Sequence, residues 1–224
     1  MVYIWRRKEG REINTIKKIF LFLFIALGFV NLSIADFNDG LTAANKGDFK
    51  TAYINWEPLA KKGDSESQAN LGLMYLYGNY VKKDYKKAIK WFKKSSKQGD
   101  SSGQLNLGFM YMLGNGTSVD YKKAFNLFMK SAEQGDEIAK NNLGLLYLNG
   151  LGVKENYTLA FYWFQKSAEE KYAEAQGNLG LMYLYGLGVP ESKKDAASWI
   201  DLARNAGHAA SEKYWNEYKL WKYK

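Results

Sequence analysis

Ala88, Trp91, Phe92 and Ser95 stand at i, i+3, i+4 and i+7 and form one largely apolar stripe, with lysines such as Lys86, Lys87, Lys93 and Lys94 on the remaining positions. The stripe returns at Ala124, Leu127 and Phe128, at Ala160, Trp163 and Phe164, and at Ala196, Trp199 and Ile200. Ahead of each stripe lies a second repeated stretch. Gln68-Ala69-Asn70-Leu71-Gly72-Leu73-Met74-Tyr75 reappears over 104–111, 140–147 and 176–183, and the offset is 36 residues every time. Leu71, Leu107, Leu143 and Leu179 coincide, as do Gly72, Gly108, Gly144 and Gly180, and the tyrosines Tyr75, Tyr111, Tyr147 and Tyr183. Each 36-residue unit is therefore predicted to be a pair of helices, A then B.

Glycines punctuate the pairs. Gly78, Gly114, Gly150 and Gly186 fall where helix A needs a left-handed residue to close, and Gly63, Gly99, Gly135 and Gly207 do the same after helix B. Asp64, Asp100 and Asp136 follow as N-caps of the next helix A. Gly72 and its three equivalents lie inside helix A, where each costs about 1 kcal/mol relative to alanine and the four together roughly 4 kcal/mol. The expected compensation is close packing: a side chain there would hold A and B apart, and Ala88 and its equivalents offer a complementary small surface.

This pattern predicts an all-α, right-handed α–α superhelix, a solenoid of tandem 36-residue helix-turn-helix repeats. Residues 36–63 form a degenerate first repeat, in which Asp48 to Gly63 matches helix B (Ala52 lies 36 residues before Ala88) behind a short helix A. Four full units follow at 64–99, 100–135, 136–171 and 172–207. Residues 208–224 are a capping helix, with Ala209 to Trp221 in helix A register but Trp215, Asn216 and Lys219 at the leucine, glycine and tyrosine positions.

Leu-Gly-x-x-Tyr, then Gly-x-Gly-Val, then Ala-x-x-Trp-Phe, as in Leu143-Gly144, Tyr147, Gly150, Gly152-Val153, Ala160 and Trp163-Phe164, resembles the Sel-one-like repeat, a subclass of tetratricopeptide-like repeats. Phe49, Ala52, Trp56, Pro58-Leu59-Ala60 and Gly63-Asp64 resemble the opening of many bacterial members, so the resemblance covers essentially residues 36–221. Two places depart: Tyr80 stands where later units have Gly116, Gly152 and Gly188, and Lys171-Tyr172 replaces a Gly-Asp pair. The resemblance implies an adaptor that holds partner proteins along a superhelical groove, with exported bacterial members tied to envelope complexes or host contact. One branch of the family, stapled by cysteine pairs, is linked with β-lactam binding. With no cysteine, this chain matches that branch poorly.

Asn70, Asn106, Asn142 and Asn178 are identical across the units and form a ladder one residue before the leucine. In related solenoids that face lines the concave groove, where amides can donate to and accept from an extended peptide backbone. The other reading is that each asparagine bonds a neighbouring helix and fixes the superhelix. If the ladder faces the groove, its companions are Leu73 and Tyr77, Phe109 and Leu113, Leu145 and Asn149, and Leu181 and Tyr185. That mixture suits a partly apolar peptide or helix more than a highly charged ligand.

Charge and the amino terminus add location. Arg6, Arg7, Lys8, Arg11, Lys17 and Lys18 precede the apolar run Ile19 to Val30, and Ser33-Ile34-Ala35 supplies a small-x-small end. Twelve apolar residues fall short of the roughly 20 that span a bilayer, so residues 1–35 read as a secretory signal peptide, the alternative being a retained anchor over 19–35. Six Lys/Arg and two Glu lie within 1–35, so the remainder carries +5 against +9 for the whole chain, a mildly basic balance that a solvated helical face also produces.

Catalytic chemistry finds little material. Without cysteine and with a single histidine, His208 in an interhelix turn, neither a Cys-His dyad nor a multi-histidine metal site can be built, and a Ser-His-Asp arrangement around His208 is the one remaining combination. Gly150-Leu151-Gly152 and Gly186-Leu187-Gly188 lack the strand and the Lys-Ser pair of a phosphate loop. The aromatics interleaved with lysines occupy the apolar stripe, which argues against stacking platforms for nucleic acid. The tail from Tyr214 to Lys224 is read as the array cap rather than a membrane-interface segment. The sequence thus predicts a periplasmic or secreted scaffold binding a protein or extended peptide, with no cofactor, no nucleic acid, and membrane contact only through an uncleaved amino terminus. A cell-wall-directed hydrolase or β-lactam-binding protein is the alternative.

Overall fold

The computed structural model describes residues 35–224, so the predicted signal segment lies, apart from Ala35, outside the described residues. Eleven α-helices follow, with no strand among the described residues. A shortened first pair, α1 (Phe37–Asn45) and α2 (Phe49–Lys61), precedes α3 (Ser65–Tyr77), α4 (Tyr85–Lys97), α5 (Ser101–Leu113), α6 (Tyr121–Ala132), α7 (Glu137–Asn149), α8 (Tyr157–Glu169), α9 (Ala173–Tyr185) and α10 (Lys193–Asn205). The chain closes with α11 (Ala209–Glu217) and a 3-10 turn, η1 (Leu220–Tyr223). Each helix packs on the next in a right-handed α–α superhelix, and α3 also packs directly on α5. No two B helices approach each other as closely.

The predicted punctuation is present. Asp64, Asp100 and Asp136 accept the N–H of Ser67, Gly103 and Ala139 at 2.8 Å each. A second cap series, unread in the sequence, starts the B helices: Asp48, Asp84, Asp120, Asn156 and Ser192 each accept an N–H three residues on. In the four full pairs the N–H of that cap also donates to the conserved-register tyrosine of helix A, from Asp84 to Tyr75 O at 2.8 Å through Ser192 to Tyr183 O at 2.9 Å. The A–B turn is thereby closed at both ends. Tyr80 and Lys171, the two departures from glycine, keep the left-handed backbone of their equivalents at φ 63° and 66°. Both residues are exposed, and Tyr80 rests its ring 5.4 Å from that of Tyr53.

The in-helix glycines differ from expectation in what they meet. A Cβ at Gly72, Gly108 or Gly144 would stand 2.4, 2.6 or 2.6 Å from the ring of Phe92, Phe128 or Phe164, and one at Gly180 would stand 2.5 Å from Ile200 Cγ1. The space above the glycine is thus filled by the large residue of the B stripe rather than matched by the small surface of Ala88 and its equivalents, which are fully buried nearby. Gly40 plays this part in the first pair, with a Cβ there 2.5 Å from Trp56 Nε1. Its α1–α2 turn has three residues where later A–B turns have seven, so the glycine slides by one helical turn to keep its place against the ring.

At the other end the capping helix stops at Glu217 rather than reaching Trp221. Lys219 turns at φ 51° and η1 folds back, burying Leu220 completely against Ala197, Ile200 and Trp215. Lys224 then pairs with the carboxylate of Asp201, which also accepts from Arg204 Nη2 at 2.6 Å. Burial raises the Asp201 pKa, but the bonds from Lys224 and Arg204 outweigh it and leave the carboxyl below its usual range.

Candidate functional site

The A helices carry all twelve residues the sequence singles out, and the structure sorts them into three groups. Asn70, Asn106 and Asn142 are nearly buried at 5% exposure each, while Asn178 is half-buried. Asn106 Nδ2 donates to Ser102 O and Asn142 Nδ2 to Ile138 O, each at 2.8 Å and each one turn back on its own helix. Only Asn178 ties helix to helix, donating to Asn141 Oδ1 at 2.9 Å. Asn70 Nδ2 is buried with no partner. The ladder is therefore not a uniform tie between helices.

The second group is packed. Leu73, expected in the groove, is 7% exposed and sits with Ile89, Phe92, Leu107 and Met110, because the next A helix closes over it. Phe109 is half-buried with its ring edge-on to Phe128 at 5.3 Å, and Leu145 and Leu181 are half-buried against the apolar clusters of their own units. The third group is open. Tyr77, Leu113, Asn149 and Tyr185 form an exposed rim at the C-terminal ends of the A helices. Tyr185 shares a hydroxyl hydrogen bond with Tyr218 at 2.7 Å, and that bond is the main reason the Tyr218 phenol is pushed up to about 12.

At the opposite, N-terminal ends of α3, α5 and α7 lies a cleft of about 300 Å³, lined by Asn70 and by Glu66, Asp100, Asp136 and Glu137 among others. Sequence reasoning missed it. The signal was there in the acidic residues that open successive A helices, of which Asp100 and Asp136 were read singly as caps.

A second polar series crosses each unit. Gln68 Nε2 donates to Ala60 O of the preceding B helix at 2.9 Å, and its Oε1 accepts from Gln98 Nε2 at 2.9 Å. Gln104 accepts from Gln134 at 2.7 Å in the next unit, and in the third Lys140 and Glu170 form an ion pair at 2.5 Å. In the fourth, position 206 is alanine, and Gln176 Oε1 is left buried and unpartnered. An apolar notch of about 380 Å³ opens there beside Trp199, Leu202 and Ala206.

His208 occupies the N-cap position of α11 without a capping side-chain bond, and its Nδ1 lies 2.8 Å from Ser211 Oγ. Ser211 is fully buried against α9, so this pair does not present a hydroxyl to a substrate. Among the described residues no cluster of His, Asp or Glu has metal-binding geometry, and no helix is long and apolar enough to cross a membrane.

Comparison with known proteins agrees with this architecture. A Sel1 repeat protein from Oxalobacter formigenes superposes with a TM-score of 0.74 at 32% identity, covering 80% of this chain and 73% of that one. A protective antigen of uropathogenic Escherichia coli strains, described as displaying an SLR fold, superposes with a TM-score of 0.70 at 34% identity over 77% of this chain. The match spans only 38% of that antigen's own length. No curated protein matches the sequence significantly. The Sel1 repeat model matches four times, at residues 65–100, 101–136, 138–172 and 173–208. Those matches cover more than half of the sequence and coincide with the four full helix pairs, and the chain belongs to the Sel1 repeat family.

Proposed function

We propose that this protein is an exported scaffold that binds a protein or extended peptide along its concave, A-helix face. Sel1-repeat proteins are generally protein-interaction scaffolds. The observation that carries the more specific reading is the combination on one curved face of an exposed rim, Tyr77, Leu113, Asn149 and Tyr185, with a polar cleft at the other end of the same helices. An extended chain crossing the A helices would meet apolar and aromatic contacts on one side and hydrogen-bonding groups on the other. The buried setting of Ser211 gives the hydrolase alternative no support from His208.

The test is affinity capture from envelope or host extract with wild type, with Tyr77→Glu/Leu113→Glu on the inner rim, and with Ile54→Glu/Leu202→Glu on the B helices. All four positions are exposed, so the folds should be matched. A partner lost only by the inner-rim variant supports the reading; loss only by the B-helix variant places binding on the convex face and refutes it. Export is proposed from the basic, apolar and small-residue succession before Asp36, and it predicts mature protein beginning near Asp36 rather than retaining residues 1–35.

A further inference from the structure

We infer that the outer side of α4 docks this protein on an anionic phospholipid surface through the line of Lys86, Lys90, Lys93 and Lys97. This surface is separate from the A-helix face proposed above, and its failure would leave that reading standing.

Positive charge is concentrated in one segment. Residues 82–97 hold eight lysines and one aspartate, a net +7, whereas 36–224 as a whole carries +5, so the rest of that span sums to −2. Lys86, Lys90, Lys93 and Lys97 stand at i, i+4, i+7 and i+11 and run along one side of α4 for about 16 Å. All four are exposed, on the side opposite the buried Ala88, Phe92 and Ser95. Among the described residues none of the four has a carboxylate partner; Asp84, the one acid of the segment, lies 3.9 Å from Lys87 instead.

The other B helices show that the fold does not require such a line. At the same places in α2, α6, α8 and α10, reached in steps of 36 residues, stand four lysines and four carboxylates, a net charge of zero. Like charges one turn apart repel and destabilise the helix that carries them, so the line on α4 is a local cost with no structural return.

The chemistry of the surface selects among anions. A protein interface is built around an apolar and aromatic core depleted of lysine, and no large apolar side chain of α4 is exposed. Single-stranded nucleic acid needs open rings for stacking, and Tyr85, Tyr75 and Trp91 are covered by Lys83, Lys87 and Lys94 at 4.7, 5.2 and 4.5 Å. Arginine suits bidentate phosphate recognition, and Arg204 is the one arginine in 36–224. Lysines are point charges on flexible stems, which match phospholipid headgroups that offer no fixed geometry; each one near an anionic bilayer strengthens binding about fivefold.

The test uses the full chain, which has no cysteine, so a fluorophore at Lys86→Cys on α4 or at Lys194→Cys, its equivalent on α10, reports from one place. Shielding of the fluorophore from acrylamide is followed as vesicles of phosphatidylcholine, with or without phosphatidylglycerol, are added. The α4 label should be shielded by the phosphatidylglycerol vesicles and the α10 label should not, whether or not residues 1–35 also hold the chain to the vesicle. Lys90→Gln/Lys93→Gln should raise the anionic lipid needed by about tenfold or more, and Lys213→Gln/Lys222→Gln, an equal loss of charge elsewhere, by no more than about twofold. Equal shielding of the two labels, shielding by phosphatidylcholine alone, or an equal effect of the two charge variants overturns the inference. Stronger shielding by a DNA duplex than by vesicles of the same phosphate concentration also overturns it and assigns the line to nucleic acid.

Discussion

Giving Gln176 back a partner should stabilise the C-terminal end of the solenoid. Three units link helix A to the end of helix B through the series Gln68–Gln98, Gln104–Gln134 and Lys140–Glu170, and in the fourth Ala206 leaves Gln176 Oε1 buried and unbonded. The backbone at Ala206, φ −84° and ψ 6°, nearly repeats that at Gln98, φ −85° and ψ 3°, so Ala206→Gln can place its amide as Gln98 does. Satisfying a buried acceptor returns about 1–3 kcal/mol. Ordering a glutamine side chain at this part-open notch offsets about 1 kcal/mol. The net gain is about 1 kcal/mol, or about 2–4 °C in Tm for a protein of this size. Urea unfolding followed by circular dichroism measures it, with Ala206→Leu to separate filling of the notch from hydrogen bonding, and Gln176→Leu to complete a double-mutant cycle. The reasoning fails if Ala206→Gln gains no more than Ala206→Leu, or if its gain survives in the Gln176→Leu background.

Three further outcomes follow from the same geometry. Gly144→Ala should lose about 1–2 kcal/mol despite alanine's better helix propensity, because its Cβ would lie 2.6 Å from the Phe164 ring; a thermal melt at or above wild type would show that the ring yields freely. Glu170→Ala should cost about 2 kcal/mol by stranding Lys140, whose side chain is 11% exposed, whereas Lys140→Gln/Glu170→Gln rebuilds the amide pair of the first two units and should be within about 0.5 kcal/mol of wild type by denaturant unfolding. Asp201 has a folded-state pKa below its ordinary value, so its contribution is present above that value and disappears as pH falls through the folded one. Asp201→Asn should therefore be less stable than wild type at neutral pH by about 1–2 kcal/mol, and the difference should narrow as the pH is lowered; a difference that stays constant throughout acid titration would assign the effect to packing of the tail instead.

The helix pairs were legible because one 36-residue period repeats glycine, leucine and tyrosine at fixed places, and because capping aspartates and left-handed glycines have few alternative uses. Tyr80 and Lys171 show the limit of that reading: their sequence breaks the glycine rule, yet surrounding units hold the same φ. Gly40 was hidden for a different reason, since a turn shortened by four residues moves it out of the 36-residue register while the Trp56 ring keeps it in place. The groove was only half legible. Helical geometry put Leu73 beside Asn70, but burial depends on the next A helix, which covers Leu73 and leaves Tyr77 open. The glutamine series was missed because Lys140–Glu170 and Ala206 disguise two of its four members, and although the 36-residue register aligns these positions, the pairing between them shows only in space.

The central claim, that the inner face of the A helices is where this scaffold holds its partner, is tested most directly by site-specific photocross-linking. A photoreactive residue is placed at Leu113 on the inner rim or at Leu202 on a B helix, both exposed, and the captured partner is probed for covalent attachment. Cross-linking from Leu113 and not from Leu202 is the predicted result. Cross-linking from Leu202 alone would contradict the account and place the binding surface on the convex face.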